Sequence, residues 1–538
     1  MPHNGHSGKA ITDRRERAGL AFATVGVFLI LLSVYLLTHG GDFFITDGVV
    51  MFRTTEALVD RHTLVLEPDS GLSQIVAGQD GQHYSKYGIG QPLAATVPYY
   101  LAKVVHPAAF SYMWHKAVEN YLVSLFNQIV TAFTGALVVL LAYRLGNGLR
   151  LSVGLAFAWG FCTLAWPYSK TFFSEPLFTC CLVLATLGLL AYNQSSGTGR
   201  FAWLAAAGFA LGYAVLVRVA GLILLAPFGA YFVWASMRHA EGALIRSVWD
   251  RVRRVDGAQQ HSWQQFTRDA IPAALSFGLP IAASLIIVVW HNIARFGNVF
   301  DEGYLATDET FSTPLLTGLA GLLLSPGKSI FLYVPLTILA VVGWQRLWKE
   351  QPATAALWSG LIAVTLVQTA LWWAWWGGWN WGPRLLVPVL PFVVVSLGTI
   401  LRQSHAARIA VWPFALAGLV VALLGVLVDF NPYLADLMVQ HPGRRIGTED
   451  PGVYFDPALS PIIAHVRFLL NGEHWSVVTF DMERLGFNTG AKYAFWSLTG
   501  FIFFAGVSAL AWADRFDSQH RRHSGKRVAV ARSRLYTS

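Results

Sequence analysis

The chain has 538 residues, of which 54% are apolar and only 13% are charged. Soluble domains carry about 25% charged residues, so this composition excludes an ordinary soluble protein, and the 21 Trp, 35 Phe and 18 Tyr exclude a disordered one. The formal net charge is +9, but the cations lie in short segments beside apolar runs. That placement is typical of a polytopic membrane protein and argues against a nucleic-acid-binding one.

Long apolar runs predict membrane-spanning helices, because about 20 apolar residues are needed to cross a bilayer as a helix. We therefore predict an all-α polytopic membrane protein with about 12 transmembrane helices. The predicted spans lie at 19–38, 120–143, 151–168, 176–192, 201–217, 219–236, 270–291, 329–344, 354–374, 385–401, 409–429 and 492–513.

The positions of Lys and Arg predict the orientation in the membrane. When the N-terminus is placed in the cytoplasm, most cations fall in the cytoplasmic segments, as the positive-inside rule requires. Both termini are then cytoplasmic, and the basic segments 237–268 and 515–538 lie against anionic membrane lipid. Segments 39–119 and 430–491 are external.

The external segment 39–119 shows two helical patterns. In residues 43–66 apolar side chains recur at helical spacing between charged ones, which predicts a helix in the plane of the interface. Residues 91–105 are too short to span and predict a second juxtamembrane helix.

Two carboxylates, Asp42 and Asp47, lie at the start of this segment. A carboxylate at this place can act as a general base toward a hydroxyl group. The alternative is structural, because Thr46 or Asp47 can also cap the helix that follows. Either carboxylate can be the base on this evidence.

A second motif contains Tyr84, Lys86, Tyr87, Gly88 and Gly90. The Lys ammonium suits phosphate as a point charge, and the glycines allow the backbone to approach a ligand closely. The alternative is an aromatic belt at the membrane interface, with a Lys that extends to water.

The segment between the predicted spans 151–168 and 176–192 contains Lys170 and Glu175. Glu175 precedes Pro176 at a helix start, where the helix dipole favours a carboxylate for structural reasons alone. The functional alternative is a second acidic residue that faces the same external cavity as Asp47.

Four further cations lie near the external ends of predicted spans: Arg218, Arg295, Lys328 and Arg384. Arg suits forked contacts with phosphate. The spacing of His, Cys and carboxylates supports no metal site and implies no cofactor, and a divalent metal stays an open alternative. Nucleotide-binding glycine motifs are absent.

Together these motifs resemble the GT-C superfamily of integral-membrane glycosyltransferases. The similarity is greatest to bacterial relatives of protein O-mannosyltransferases and lipid A aminoarabinose transferases. The acidic motif of that family resembles residues 46–58, its Lys motif resembles 84–92, and the segment with its second acidic residue resembles 168–176. Two departures are Gly48, where relatives often have a second acidic residue, and Tyr87-Gly88, where two prolines are usual.

The resemblance implies transfer of a sugar from a polyprenyl-phosphate donor to an acceptor hydroxyl on the external side of a bacterial inner membrane, with inversion. Asp47 would be the base, with Asp42 as its rival. Lys86, with Arg384 or Arg295, would bind the donor phosphate, and Glu175 would orient the acceptor or the cations. The acceptor would be a lipid, a glycan or a protein.

The resemblance also suggests how the chain is organised. The predicted parts are a cytoplasmic tail (1–18), a GT-C-like transmembrane catalytic domain (19–429), an external segment (430–491), a last transmembrane helix (492–513) and a basic cytoplasmic tail (514–538). Two alternatives from other classes are a twelve-helix transporter or lipid flippase, and an oligosaccharide polymerase or ligase. A transporter is expected to show paired halves and broken helices near the midplane.

Overall fold

A computed structural model of the chain describes residues 5–40, 46–105, 112–253, 259–304, 307, 309–440, 451–477 and 489–535. Most of the described residues are helical. The α-helices are α1 (Gly5–Leu37), α2 (Thr46–Asp60), α3 (Gly90–Val105), α4 (Tyr112–Ser124), α5 (Phe126–Arg144), α6 (Leu149–Phe161), α7 (Ala165–Ser169), α8 (Glu175–Gln194), α9 (Arg200–Val217), α10 (Leu225–Arg253), α11 (Gln259–Phe296), α12 (Leu315–Leu324), α13 (Ile330–Tyr333), α14 (Leu336–Glu350), α15 (Pro352–Leu371), α16 (Leu390–Ser396), α17 (Gly398–Leu401), α18 (His405–Leu427), α19 (Phe430–Gln440), α20 (Pro461–Asn471) and α21 (Thr489–Leu535).

The predicted all-α membrane class is confirmed. Within the described residues, 10 helical segments are long and apolar enough to cross a membrane: Arg14–Leu37, Val118–Arg144, Glu175–Gln194, Arg200–Val217, Val219–His239, Asp269–Phe296, Pro352–Leu371, Arg384–Leu401, His405–Leu427 and Thr489–Gln519. Each overlaps one of the twelve predicted spans. The span that begins at Arg384 starts with a 3-10 helix, Arg384–Val389, and continues through α16 and α17.

The two remaining predicted spans, 151–168 and 329–344, are each divided into shorter helices. The first is α6 followed by α7, and Thr163 lies at the break, where its hydroxyl accepts a hydrogen bond from the Ala165 amide. The second is α13 followed by α14, with Pro335 between them. Proline lacks an amide proton and interrupts a helix. Apolar length alone therefore overestimates the length of these two helices.

Side-chain contacts define the two ends of the helix bundle. At one end, Arg150 lies 2.7 Å from Asp514, Arg144 donates to Gln194 over 3.0 Å, and Arg402 donates to the Leu145 carbonyl over 3.0 Å. His239 lies 3.1 Å from the Tyr192 carbonyl and Asp269 lies 2.9 Å from Arg200, so residues on both sides of the basic segment 240–268 lie at this end, which we call the basic end. The opposite end contains α2, α3 and the first residues of α8, and we call it the site end.

The segment after α1 contains a β-hairpin as well as the two predicted helices. Residues Ile75–Ala77 pair antiparallel with His83–Ser85, and Ile75 lies opposite Ser85. Helix α2 occupies part of the predicted amphipathic stretch 43–66, and α3 matches the predicted helix 91–105. The hairpin lies between them in sequence, and its second strand ends immediately before Lys86.

We expect Cys labelling to show that the site end is external. Glu473 and Gln403 are both exposed, and they lie at the site end and the basic end respectively. In intact cells, a membrane-impermeant maleimide should label Glu473→Cys and spare Gln403→Cys, because cations are retained in the cytoplasm. Labelling of Gln403→Cys alone would reverse the orientation. The wild-type chain, with three Cys, is the control.

Candidate active site

Asp47 and Arg384 form an ion pair at the site end. Asp47 is in the first turn of α2, where the helix dipole favours a carboxylate. Its Oδ2 lies 3.0 Å from Nη1 of Arg384, and its Oδ1 accepts from the Gln74 amide over 3.4 Å. The two charged residues are far apart in sequence, so the fold brings them together.

Arg384 also joins Asp47 to a second carboxylate. Its Nε lies 3.3 Å from Oε1 of Glu175, and Nη1 of Arg218 lies 2.7 Å from the same oxygen. The guanidinium of Arg384 stacks 3.9 Å from the centre of the Phe173 ring, which fixes its plane. Four of the predicted site residues therefore form one network, which we call the carboxylate–arginine cluster: Asp47, Glu175, Arg218 and Arg384.

Glu175 is the most buried member of this cluster. Its side chain is 2% exposed, and within the described part of the chain its Oε2 has no hydrogen-bond partner. The helix dipole of α8 and two guanidinium groups stabilise its charge. Glu175 therefore lies at a helix start and shares Arg384 with Asp47.

Lys86 is paired with a carboxylate that the sequence did not single out. Its Nζ lies 2.7 Å from Oε1 of Glu309, and 5.4 Å from the centre of the Tyr304 ring. The Lys86 side chain is 6% exposed and that of Glu309 is 16% exposed. Lys86 is therefore a nearly buried cation that needs a counter-ion, and Glu309 supplies it.

The two tyrosines of the Lys motif lie in different surroundings. Burial raises the pKa of the Tyr87 hydroxyl, and the neighbouring Asp47 carboxylate raises it further, so Tyr87 stays protonated beside Asp47. The Tyr84 hydroxyl donates to Asp80 over 2.7 Å within the hairpin turn, and burial raises its pKa to about 12. Tyr87 is thus the tyrosine beside the cluster, and Tyr84 stabilises the hairpin.

The glycines of the Lys motif allow a close approach to protein backbone. A Cβ atom on Gly88 would lie 2.5 Å from the Leu216 carbonyl oxygen, and one on Gly90 would lie 2.5 Å from the Val217 nitrogen. Segment 87–90 therefore passes directly against the end of α9, next to Arg218. The glycines do allow the backbone to approach a partner closely, but that partner is the end of α9.

Arg295 and Lys328 use their N–H groups for contacts inside the protein. Arg295 donates to the Ser85 carbonyl, to the His291 carbonyl over 3.1 Å and to Asn292 over 3.1 Å. It therefore ties the end of α11 to the hairpin that precedes Lys86.

Lys328 has the same kind of role in residues 372–383, which precede Arg384 and which we call the Trp-rich turn. Its side chain is fully buried, and its Nζ donates to the carbonyls of Gly378 (3.1 Å), Asn380 (2.7 Å) and Gly382 (3.1 Å). Lys328 thus shapes the turn from which Arg384 extends, and it contributes to the site through that turn.

Lys170, directly after α7, contacts the last turn of α18 and Ser476, which follows α20. Its Nζ donates to the Val426 carbonyl over 2.8 Å, and to the carbonyl and hydroxyl of Ser476 over 2.6 and 2.9 Å. Burial lowers the pKa of this ammonium to about 7, although Asp429 opposes the change. These three acceptors all belong to the protein.

The lowered pKa of Lys170 predicts a pH dependence of stability. In an unfolded chain a Lys keeps a pKa near 10.5, so between pH 7 and 10.5 the unfolded state binds more protons than the folded state. The free energy of unfolding then rises with pH in that window, by at most about 1.4 kcal/mol per pH unit. The apparent Tm of the wild type minus that of Lys170→Met should therefore increase between pH 7 and pH 9. A constant difference would contradict the assignment.

Asp42, the rival to Asp47, lies outside the described residues. Within the described residues, His, Cys, Asp and Glu side chains form no group of three or more that could hold a metal ion. The sequence patterns did not point to Gln74 or Glu309. Gln74 gave no signal, whereas Glu309 lies in a segment with other acidic residues, a weak signal that could have drawn attention to it.

Comparison with known proteins agrees with the resemblance of the motifs. Residues 93–256 match the family model of dolichyl-phosphate-mannose-protein mannosyltransferase. This range contains Glu175 and Arg218, whereas Asp47, Lys86 and Arg384 lie outside it. No curated protein matches the chain.

Two solved structures match the chain at low sequence identity and with TM-scores below 0.5. ArnT from Cupriavidus metallidurans, bound to undecaprenyl phosphate, is 15% identical over 94% of this chain and 79% of its own, with a TM-score of 0.45. The archaeal oligosaccharyltransferase AglB from Archaeoglobus fulgidus, in complex with an inhibitory peptide and a dolichol-phosphate, is 14% identical over 75% of this chain and 55% of its own, with a TM-score of 0.41. Over residues 93–256, the chain's predicted resemblance to the protein O-mannosyltransferases is confirmed by the family match.

Proposed function

We propose that this protein is a membrane glycosyltransferase that moves a sugar from a polyprenyl-phosphate donor to an acceptor hydroxyl at the external surface. The observation that carries the proposal is the carboxylate–arginine cluster. It holds one carboxylate, Asp47, against a guanidinium that can bind phosphate, at the same end of the bundle as Lys86. A base and cations for an anionic leaving group are what this reaction requires.

The donor phosphate binds Lys86 and Arg384. Arg384 presents a planar fork of donors, and Lys86 adds a compact charge. When the phosphate binds Arg384, it replaces the Asp47 carboxylate as the partner of that guanidinium, and Asp47 becomes available to the acceptor. The acceptor hydroxyl gives its proton to Asp47, and its oxygen attacks the anomeric carbon of the sugar.

As the new carbon–oxygen bond forms, the bond between the anomeric carbon and the phosphate oxygen breaks. The electron pair leaves with the polyprenyl phosphate, whose charge Lys86 and Arg384 stabilise. The attack comes from the face opposite the leaving group, so the configuration at the anomeric carbon is inverted. Glu175 holds Arg218 and Arg384 in place, and its second oxygen is available to orient the acceptor.

The environment of the cluster supports these roles. Asp47, Arg384 and Lys86 are each less than a fifth exposed, and charge–charge interactions are stronger in such partly dehydrated surroundings than in water. A donor whose lipid tail stays in the bilayer can reach the bundle's site end from the side, since exposed apolar residues of α3, such as Val97 and Leu101, face outward there.

An assay with labelled donor tests this proposal against the flippase alternative. The protein is reconstituted in vesicles with radiolabelled polyprenyl-phosphate sugars and membrane extract as the source of acceptor. A transferase moves the label to a new product and releases polyprenyl phosphate. Movement of intact donor across the bilayer, without cleavage, would support a flippase and would contradict the transferase.

A further inference from the structure

Lys86, one of the two cations proposed to bind the donor phosphate, already forms an ion pair with a carboxylate of the protein. The Lys86 ammonium is 2.7 Å from the Glu309 carboxylate. Within the described residues, that ammonium is also the one side-chain partner of the Glu309 carboxylate. A carboxylate and a phosphate oxygen make the same charge-assisted contact with an ammonium group. Glu309 therefore stands where a phosphate oxygen would bind.

Glu309 is held there by its own backbone. Its amide donates to the Tyr304 carbonyl over 3.3 Å, and the Thr310 carbonyl accepts from the Trp373 amide over 2.9 Å. The Tyr304 ring packs edge-on against Trp372, with ring centres 5.7 Å apart. These contacts attach the external segment that carries Glu309 to the Trp-rich turn that leads to Arg384.

The side chain of Glu309 is nevertheless able to leave. It is 16% exposed, compared with 6% for Lys86 and 2% for Glu175. When an ion pair breaks, a partly exposed carboxylate can be hydrated by water. A carboxylate as buried as Glu175 would instead be left as an uncompensated charge inside the protein. The carboxylate of Glu309 is about as exposed as that of Asp47 (17%) and far more exposed than that of Glu175, so its release from Lys86 costs less free energy than release of Glu175 would.

The charges at the site also favour an exchange. Lys86, Arg218 and Arg384 are balanced by the carboxylates Asp47, Glu175 and Glu309. A sugar linked to a polyprenol through one phosphate is a phosphodiester with a single negative charge, so its replacement of Glu309 at Lys86 leaves the charges balanced. A pyrophosphate-linked donor would bring a second negative charge, one more than Glu309 gives up.

We propose that Glu309 is an exchangeable counter-ion that occupies the phosphate position at Lys86 until a single-phosphate donor displaces it, and that it returns to release the product. This inference rests on the proposed function. No bond is made or broken in the exchange. After transfer, the polyprenyl phosphate carries a charge of about −1.5 to −2 and is held tightly, so competition from Glu309 speeds its departure.

The Glu309→Gln variant separates this role from a structural one. Gln keeps the volume and a carbonyl oxygen that can accept from Lys86, but it no longer competes by charge. We expect undecaprenyl phosphate to bind about tenfold more tightly or better. The donor KM and kcat should both fall, because product release becomes slow. A structural role predicts the opposite for binding, since loss of a buried partner disorders the site.

Binding is measured on the full chain in detergent at pH 8, by quenching of its Trp fluorescence on addition of undecaprenyl phosphate. Undecaprenol, which lacks the phosphate, controls for binding of the lipid tail. Glu302→Gln is the matched control, because it removes a neighbouring carboxylate that does not pair with Lys86. At this pH Glu302 is charged, although burial raises its pKa to about 7.

The outcomes distinguish a failure of the Glu309 exchange from a failure of phosphate binding by Lys86. Tighter binding in Glu309→Gln, with Glu302→Gln and Glu309→Asp close to the wild type, supports the exchange. Equal or weaker binding in Glu309→Gln overturns it, provided that Lys86→Ala weakens binding. If Lys86→Ala binds undecaprenyl phosphate as tightly as the wild type, the phosphate assignment in the proposed function fails instead.

Discussion

Replacement of Asp47 by Asn is expected to lower turnover by about a hundred- to ten-thousand-fold, the usual contribution of a general base. Asn has the size of Asp but cannot take the proton of the acceptor hydroxyl. The fold should survive, because Arg384 keeps its contact with Glu175 at 3.3 Å, and the loss of a negative charge in the first turn of a helix costs only about 0.3–1 kcal/mol. The measurement is steady-state turnover of a polyprenyl-phosphate sugar, with the apparent Tm as a check on folding.

The matched control for this experiment is Asp42→Asn. If Asp47 is only a helix-capping residue, its Asn variant should be nearly as active as the wild type. Loss of activity in Asp42→Asn, with activity intact in Asp47→Asn, would transfer the role of base to Asp42 and leave the reaction unchanged. Full activity in both variants would show that neither carboxylate acts as a general base.

Replacement of Lys86 by Ala is expected to reduce kcat by about a hundred- to a thousand-fold, as the loss of one preorganised donor to a developing negative charge does in other enzymes. The donor KM should rise as well, while the acceptor KM changes little, because Lys86 faces the leaving group. Lys86→Arg should recover part of the activity, since it keeps the charge but changes the geometry. These constants come from titrations of donor and acceptor separately.

A double variant controls for the partner that Lys86→Ala leaves behind. The Glu309 carboxylate loses its counter-ion in the single variant and repels the donor phosphate. Lys86→Ala combined with Glu309→Gln should therefore bind donor better than Lys86→Ala alone, yet stay below the wild type. A wild-type donor KM and kcat in the single variant would show that Lys86 does not contact the phosphate.

The membrane fold could be predicted from sequence because apolar length and cation placement are local properties of the chain. Helices such as α8 and α18 follow directly from runs long enough to cross the bilayer. The breaks at Thr163 and Pro335 were harder to predict, since both lie inside apolar runs. Proline position is readable from sequence, but whether a membrane helix kinks or ends there depends on its neighbours.

The candidate site was only partly predictable. Asp47, Glu175, Arg218 and Arg384 were each selected as charges near the membrane surface, and the structure joins them in one network. Arg295 and Lys328 met the same criterion. The sequence does not reveal that their N–H groups are used by carbonyls of the Ser85 strand and the Trp-rich turn, because those partners are distant in sequence and are supplied by tertiary packing.

Glu309 is the opposite case, a residue that the sequence did not select although the structure places it at the site. It lies in a segment without periodicity between two predicted spans, where an acidic residue is ordinarily solvated. Only the packing of Tyr304 and Thr310 on the Trp-rich turn brings its carboxylate to Lys86. Pairs of this kind are found from the fold, and a single sequence contains no record of them.

We propose a direct displacement in which Asp47 accepts the proton and the lipid phosphate leaves. The measurement that tests it most directly is the anomeric configuration of the sugar in the product, determined by NMR, together with the amount of polyprenyl phosphate released. We predict an inverted configuration and one polyprenyl phosphate for each sugar transferred. A retained configuration would require a second displacement through a covalent intermediate and would contradict the claim, as would transfer without release of polyprenyl phosphate.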